Sequence, residues 1–188
     1  LERNDDFAGV ILCGAPNYQP AASFGKKLAQ LLVKIKGPKS KTKLLTILSL
    51  GAFSKSVKNA KTPIDWLSYN EENVQEYLND ELCGVPFTDA ANRDLFTMVS
   101  HLHHLFTAKN TSLPILFISG KDDPCTGGTL GLVDSISTLQ KNGYANIENI
   151  TFTKMRHEIL NEKENHLVIE EIIKFICGIN KRFGTNIF

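Results

Sequence analysis

The chain has 188 residues, of which 42% are hydrophobic and 22% are charged, and its formal net charge is +1. This length is sufficient for one domain with a sizeable core. The near-neutral charge argues against a nucleic acid partner, which would require a strongly basic surface. No apolar run approaches the roughly 20 residues that a bilayer-spanning helix needs, so stable membrane insertion is not expected.

The first predicted element is a strand at residues 7–13. This run is almost wholly apolar and is ended by Gly14-Ala15-Pro16. A short apolar run of this kind is typical of a strand buried on both faces of a parallel sheet. We therefore assign residues 1–17 to the core of the domain.

Residues 18–109 predict helices and loops without a convincing strand. Two apolar stripes have helical spacing: Leu28, Leu31, Leu32 and Ile35, and then Leu95, Val99, Leu102 and Phe106. Gly-Pro, Thr-Pro and Val-Pro pairs mark loops between them. A helical insertion of this size between two strands predicts a cap, or lid, over the carboxyl ends of the strands.

Residues 110–188 alternate strands with helices. Strands are predicted at residues 114–119 and 147–153. A helical stripe at Leu132, Val133, Ile136 and Leu139 ends near Gly143, and another is formed by Ile169, Ile172, Ile173 and Ile176. Asn161 and Glu164 have the spacing of a capping pair for this last helix. The order predicts an α/β fold, with parallel strands, right-handed crossovers and flanking helices.

Two short segments follow these strands and carry groups that suit acid–base chemistry. Asp122 and Asp123 lie directly after the strand at 114–119, and His157 lies shortly after the strand at 147–153. The carboxyl ends of parallel strands meet at one edge of the sheet, so these side chains can approach one another. A buried acid that orients a histidine base is required in serine hydrolases. Each segment taken singly could also be an ordinary turn or a packed histidine.

The nucleophile that would complete such a triad is not found in these residues. A serine in a Gly-x-Ser-x-Gly turn is expected N-terminal to the acid and the base, and the 188 residues contain no such motif. The sequence therefore predicts that the chain contains two of the three groups of a catalytic triad, the acid and the base.

Three segments resemble the lysophospholipase and monoacylglycerol-lipase branch of the α/β hydrolases, also grouped as serine-aminopeptidase-like hydrolases. Residues 119–124 (Ser-Gly-Lys-Asp-Asp-Pro) resemble the acid loop of that family, and residues 156–162 (Arg-His-Glu-Ile-Leu-Asn-Glu) resemble its histidine loop. Residues 65–68, followed by 77–84 and 87–88, resemble a segment of its cap. Gly14-Ala15-Pro16 resembles the turn after the strand that follows the nucleophile helix. The resemblance extends from Gly9 to about Ile176.

The resemblance implies that Asp123, rather than Asp122, is the acid and that His157 is the base. If the chain is a hydrolase, Arg156 and Glu158 are expected to brace the histidine loop. Trp66 and Phe87 are expected to be packing residues of the cap, and the alternative is that they line a substrate pocket for an acyl chain. The family's N-terminal half, with the oxyanion-hole loop and the nucleophile, has no counterpart here, so the chain is expected to be the C-terminal portion of an enzyme of roughly 300 residues.

Two functions of different classes remain open. One is a carboxylic ester hydrolase of lipid type, with a small lipid or acyl-ester substrate. The other is an inactive fragment that acts only as an association module, because an unpaired sheet edge favours pairing with the missing half or with another copy. A search for Gly-x-Ser-x-Gly upstream of Leu1 would distinguish them.

No cofactor or metal is expected. His101 and His104 have the i, i+3 spacing of a helix face, but no local carboxylate or cysteine completes a ligand set. The four cysteines form no Cys-x-x-Cys pair, and are expected to be small buried residues in a reducing compartment: Cys13, Cys83, Cys125 and Cys177. We therefore expect a cytoplasmic protein, with peripheral membrane contact as an option that its lipid-type substrate leaves open.

Overall fold

The computed structural model of the chain describes residues 6–183, which contain a parallel sheet of three strands. These strands are β1 (Val10–Cys13), β2 (Ile115–Gly120) and β3 (Ile147–Phe152), in the order β1-β2-β3. All three predicted strands are present, although β1 begins three residues later than the apolar run indicated. The α/β class predicted from the sequence is confirmed.

The central strand β2 is buried along its whole length because helices cover both faces of the sheet. All six of its residues are buried. Ile115 and Phe117 pack with Leu132 of α6 (Gly128–Lys141) on one face. Leu116 and Ile118 pack on the other face with Val168 of α7 (Asn165–Phe183). This alternation anchors the end of β2, where the acid loop begins.

Five helices lie between β1 and β2, and none of the described residues between them adds a strand to the sheet. A single 3₁₀ turn at Asp65–Leu67 precedes the fourth helix. The helices are α1 (Ala22–Lys36), α2 (Lys43–Ser49), α3 (Gly51–Ser56), α4 (Glu71–Asn79) and α5 (Asp89–Ser100). We call residues 18–109 the helical insertion.

The buried face of α1 contains two of the four residues of the predicted stripe, since Leu28 and Leu32 pack against the cluster that includes Ala29 and Phe96. Leu31 and Ile35 are exposed, whereas Gly25 and Ala29 are buried. A Cβ atom at Gly25 would lie 2.8 Å from the ring of Phe96 in α5. The two helices thus approach through small residues, a mode of packing that an apolar stripe does not reveal.

Two helix ends also differ from the sequence expectations. Helix α5 ends at Ser100, so Leu102 and Phe106 lie beyond it, and Phe106 packs instead against the core beside β2. Asn161 does not cap α7, because it belongs to the 3₁₀ turn Ile159–Asn161 that precedes the helix. Of the helices described between residues 6 and 183, none combines the length and the hydrophobicity needed to cross a bilayer.

Candidate active site

The acid loop holds the Asp123 carboxylate rigidly just after β2. Asp123 precedes the 3₁₀ turn Pro124–Thr126, and its Oδ1 accepts a hydrogen bond from the backbone N–H of Cys125 at 2.8 Å. The backbone carbonyl of Asp123 accepts a bond from Thr126 Oγ1 at 3.0 Å. The Asp123 side chain is fully buried. Its second oxygen, Oδ2, is left to make one directed contact.

That contact is with His157, which lies beyond β3. Asp123 Oδ2 and His157 Nδ1 are 3.0 Å apart, and the histidine side chain keeps 30% of its surface exposed. Because Nδ1 is bound to the carboxylate, Nε2 is the ring nitrogen available to a reacting group. A buried carboxylate that fixes the tautomer and orientation of an imidazole is the arrangement of a general base in acyl transfer.

The pair has an electrostatic consequence for the base. The hydrogen bond that His157 donates to the Asp123 carboxylate raises the pKa of His157 above its ordinary value, and burial of the ring opposes the shift. The carboxylate thus stabilises the imidazolium form that appears when the histidine accepts a proton.

The acid loop and the histidine loop are joined through their backbones. The N–H of Lys121 donates to the carbonyl of Phe152 at 2.7 Å, and the N–H of Asp122 donates to the carbonyl of Met155 at 3.1 Å. A Cβ atom at Gly120 would lie 2.2 Å from the carbonyl oxygen of Arg156. The two loops can therefore meet only because residue 120 has no side chain.

A second glycine lies against the pair at the end of β1. Gly14 has φ +55°, and a Cβ atom there would lie 3.1 Å from His157 Nδ1 and 3.3 Å from Asp123 Oδ2. The positive φ and the close approach both favour glycine. All three strand ends therefore contribute to one site.

The two adjacent acidic residues of the acid loop have different environments. Asp122 is exposed, and its Oδ2 accepts a hydrogen bond from the Tyr69 hydroxyl at 3.0 Å. Asp123 is the carboxylate that faces His157. The geometry therefore agrees with the register that the resemblance implies, while the catalytic roles of Asp123 and His157 stay predictions.

Arg156 joins the histidine loop to the helical insertion. Its Nη1 donates hydrogen bonds to the backbone carbonyls of Asp65 at 2.6 Å and Ser68 at 3.1 Å. The guanidinium also lies 3.8 Å above the ring of Tyr69, a favourable cation–π contact. Arg156 does not contact Asp123 or His157 through any of these bonds, so its observed role is to hold the loop against the insertion.

Glu158 makes a second set of bonds across the same boundary. Its backbone N–H donates to the carbonyl of Leu67 at 2.7 Å. Its Oε2 accepts hydrogen bonds from Asn73 Nδ2 at 2.7 Å and Asn161 Nδ2 at 3.1 Å. These bonds fix the backbone immediately after His157.

Glu162 is a structural residue of the site that the sequence analysis did not single out. Its buried carboxylate accepts backbone hydrogen bonds from Arg156 at 2.9 Å, from Tyr69 at 3.0 Å and from Asn70 at 3.2 Å. It thereby joins the histidine loop and the insertion around one charge. The signal was present in the sequence, since Glu162 closes the segment that resembles the family's histidine loop.

The two aromatic residues assigned to a substrate pocket have different positions. Trp66 lies beside the base, with its ring centroid 5.2 Å from that of His157, and it also contacts Phe53. Phe87 precedes α5, and 44% of its surface is exposed. No described contact links Phe87 to the Asp123–His157 pair.

Two expectations about cysteine and histidine residues were wrong. Cys13 is exposed and the other three cysteines are only partly buried. His101 follows the last residue of α5, so His101 and His104 do not share a helix face, although their rings lie 6.4 Å apart. His103 instead has a carboxylate partner, since its Nε2 lies 2.6 Å from Asp134 Oδ2 of α6.

The parallel sheet and the acid and histidine loops at its carboxyl edge define an α/β hydrolase. The family model described as Serine aminopeptidase, S33 matches residues 1–164. The chain therefore belongs to this family of serine-aminopeptidase-like α/β hydrolases, as the sequence motifs indicated. A comparison with curated proteins finds no match.

Solved structures of esterases and lipases have the same fold. A highly thermostable carboxyl esterase from Bacillus coagulans has 24% identity and a TM-score of 0.77, with 92% of this chain and 57% of that chain covered. A structure described as a lipase in its open form has 19% identity and a TM-score of 0.74, with 92% and 57% covered.

A monoacylglycerol lipase from Paleococcus ferrophilus has 22% identity and a TM-score of 0.61, with 92% of this chain and 61% of that chain covered. The chain thus spans about three fifths of the length of these structures.

Proposed function

We propose that this chain supplies the acid, the base and the cap of a serine ester hydrolase, and that the nucleophile is provided by a segment outside these 188 residues. Asp123 orients His157. His157 accepts the proton of the attacking serine hydroxyl and then donates it to the leaving alcohol. The proposal includes the prediction that the helical insertion, residues 18–109, acts as a cap.

One observation carries this proposal: the fully buried Asp123 carboxylate lies 3.0 Å from Nδ1 of a partly exposed His157. A histidine that served only for packing would not need a dedicated buried acid and a backbone fixed on both sides. The bonds made by Arg156, Glu158 and Glu162 hold the loop in the position that general base catalysis requires.

The proposed substrate is a small carboxylic ester of lipid type, such as a lysophospholipid or a monoacylglycerol. Support comes from the structural neighbours, which are described as a carboxyl esterase, a lipase and a monoacylglycerol lipase. The Trp66 ring beside His157 offers an apolar wall for an acyl chain. Phe87 could line the same pocket only after a movement of the segment before α5.

The alternative, an association module without catalysis, is favoured by a different observation. An apolar groove of about 720 Å³ lies beside β1, between Leu12, Phe106, Phe117 and Leu139. A missing half or a second copy of the chain would cover such a surface, and β1 would offer its free edge. The groove supports association under either function, so it does not by itself favour an inactive protein.

A cytoplasmic location is part of the proposal. All four cysteines are free thiols, which is typical of a reducing compartment.

The proposal is tested by restoring the missing groups. The chain is combined with an upstream segment that carries a Gly-x-Ser-x-Gly turn, either in one polypeptide or as a separate fragment. We expect hydrolysis of short p-nitrophenyl esters and of monoacylglycerols, with much slower cleavage of matched amino-acid p-nitroanilides. A combined protein that folds and binds both segments but hydrolyses no ester would refute catalysis and leave the association module.

A further inference from the structure

Three side chains of different chemistry converge beside the acid–base pair. One ligand atom from each of Asp123, Cys125 and His157 lies within 4.8 Å of the other two. No other group of three or more His, Cys, Asp or Glu side chains among residues 6–183 lies close enough together to hold a metal ion. Asp123 and His157 belong to the proposed triad, whereas Cys125 has no part in it.

The backbone fixes the position of the cysteine. Cys125 occupies the middle of the 3₁₀ turn Pro124–Thr126, and its N–H is bound to Asp123 Oδ1 at 2.8 Å. The thiol is therefore attached to the same short turn that presents the carboxylate. Gly14 passes next to Asp123 Oδ2 and His157 Nδ1 without a side chain, so no neighbouring Cβ blocks that side of the pair.

We propose that Asp123, Cys125 and His157 form a binding site for a thiophilic divalent cation of the Zn²⁺ type, and that the bound cation inhibits the enzyme. One sulfur, one imidazole nitrogen and one carboxylate oxygen are ligands that Zn²⁺ accepts, with a fourth position left for water. Ligand bonds of about 2.0–2.3 Å place the ligand atoms of a tetrahedral site about 3.3–3.6 Å apart. Asp123 Oδ2 and His157 Nδ1, which lie 3.0 Å apart, must therefore separate slightly when the cation binds. Mg²⁺ and Ca²⁺ prefer sites made only of oxygen.

The thiol restricts which cations can bind. Thiolate is a soft ligand that favours Zn²⁺ and the still softer Cd²⁺, whereas Mg²⁺ is bound by oxygen ligands. The cation replaces the proton of the Cys125 thiol, and this proton is released to solvent.

Inhibition follows from the position of the site. A cation bound to His157 Nδ1 and to Asp123 replaces the hydrogen bond between them. Because the cation takes the lone pair of Nδ1, the proton of Nδ1 moves through solvent to Nε2, and Nε2 then has no lone pair to accept the proton of the serine hydroxyl. This inhibitory consequence rests on the proposed function, whereas binding of the cation does not.

The binding test uses the 188-residue chain and Cd²⁺, whose bond to a thiolate gives a charge-transfer absorption in the ultraviolet. We expect saturation at one Cd²⁺ per chain, competition by Zn²⁺, and none by Mg²⁺ or Ca²⁺. Cys125→Ser should abolish the band. His157→Ala and Asp123→Asn should each weaken binding by at least about 10–100-fold, the loss typical of even an outer-shell partner.

Two matched controls exclude other sites. Cys13→Ser should keep the band, because Cys13 does not belong to the group of three ligand atoms. His101→Ala combined with His104→Ala should keep it as well. The titration of the unmodified chain with Cd²⁺ gives a result that needs no variant to fold, since the band should appear and saturate at one Cd²⁺ per chain.

The site would be overturned if the band is retained in Cys125→Ser or lost in Cys13→Ser. It would also be overturned if the unmodified chain shows no band at one Cd²⁺ per chain. If the cation binds as expected but the combined enzyme keeps its esterase activity, the site stands and its inhibitory role fails. If the combined enzyme is inactive without any cation, the proposed function fails independently of the binding result.

Discussion

Two regions next to the sheet, the loops at the carboxyl ends of the strands and the groove beside β1, differ in how many of their side chains have partners within the chain. In the loops, the carboxylates of Asp123 and Glu162 are buried and hydrogen-bonded within the chain. In the groove, apolar side chains such as Leu12 and Leu139 face an open space of about 720 Å³.

This difference indicates which parts of the site are formed in advance. Polar groups buried without partners destabilise a fold. Asp123, His157 and Glu162 all have partners, and the buried side-chain oxygen without one among the described residues is Ser119 Oγ at the start of the acid loop. Apolar surface is tolerated when a partner covers it. We therefore expect the acid–base pair to be preorganised in this chain, and the groove to be the place where the nucleophile-bearing segment packs.

The largest effect is expected for His157→Ala in the combined enzyme. Removal of the base should lower kcat by a factor on the order of 10⁶, the loss seen when the equivalent group of a serine protease triad is removed. Single-turnover and steady-state hydrolysis of p-nitrophenyl esters measure it. A loss of only a few-fold would mean that another group accepts the proton and that the loop geometry is not catalytic.

A smaller but still large effect is expected for Asp123→Asn. An amide cannot hold the imidazole in the required tautomer, so kcat should fall by about 10⁴-fold, as in the protease whose triad acid was changed in this way. Asp122→Asn is the matched control and should change kcat by no more than a few-fold, because Asp122 contacts Tyr69 and not His157. Equal losses in the two variants would show that the acid loop is read in the wrong register.

The preorganised state of the loops can be tested through stability. Glu162→Gln keeps the size of the side chain but removes the charge that three backbone N–H groups share. We expect the free energy of unfolding to fall by about 1.5–3 kcal/mol, the range for hydrogen bonds to charged groups. Urea unfolding measures it, and the exposed Glu164→Gln should leave the midpoint unchanged. Identical midpoints would mean that the loop does not depend on Glu162.

The smallest effect concerns the pKa of His157. The hydrogen bond to the Asp123 carboxylate raises this pKa above its ordinary value of about 6.5, and NMR titration should show a lower pKa in Asp123→Asn. Because the folded-state pKa is the raised one, the contact contributes stability below the unfolded-state pKa and loses it as pH rises through the folded-state pKa. A His157 pKa that is the same in both proteins would contradict the observed contact.

The sequence predicts the sheet and the acid–base pair well because both depend on short, local signals. Apolar runs mark β1, β2 and β3, and the position of Asp123 and His157 directly after two of them follows from parallel topology. Features that depend on packing between distant segments were less accessible. The close contact of α1 with α5 at Gly25 depends on a small residue, which an apolar pattern does not mark. The proximity of Cys125 to His157 depends on how the two loops meet, and no local sequence pattern predicts it.

The exposed residues Leu31 and Ile35 illustrate the same limit. Their spacing is that of a buried helix face, but the face is set by the small residues Gly25 and Ala29 against Phe96. An apolar stripe shows that a helix is amphipathic, and not which neighbour it selects. The role of Glu162 was similarly hidden, because its partners Tyr69 and Asn70 belong to a distant part of the chain.

The central claim is that the acid and the base lie in this chain and the nucleophile does not. A fluorophosphonate probe that reacts with activated serine residues tests it directly when the chain and the segment with Gly-x-Ser-x-Gly are supplied as two separable polypeptides. We expect the label on the serine of that segment, only when both polypeptides are present, and not with His157→Ala. Label on a serine of the 188-residue chain, such as Ser119, or labelling of this chain alone, would contradict the claim.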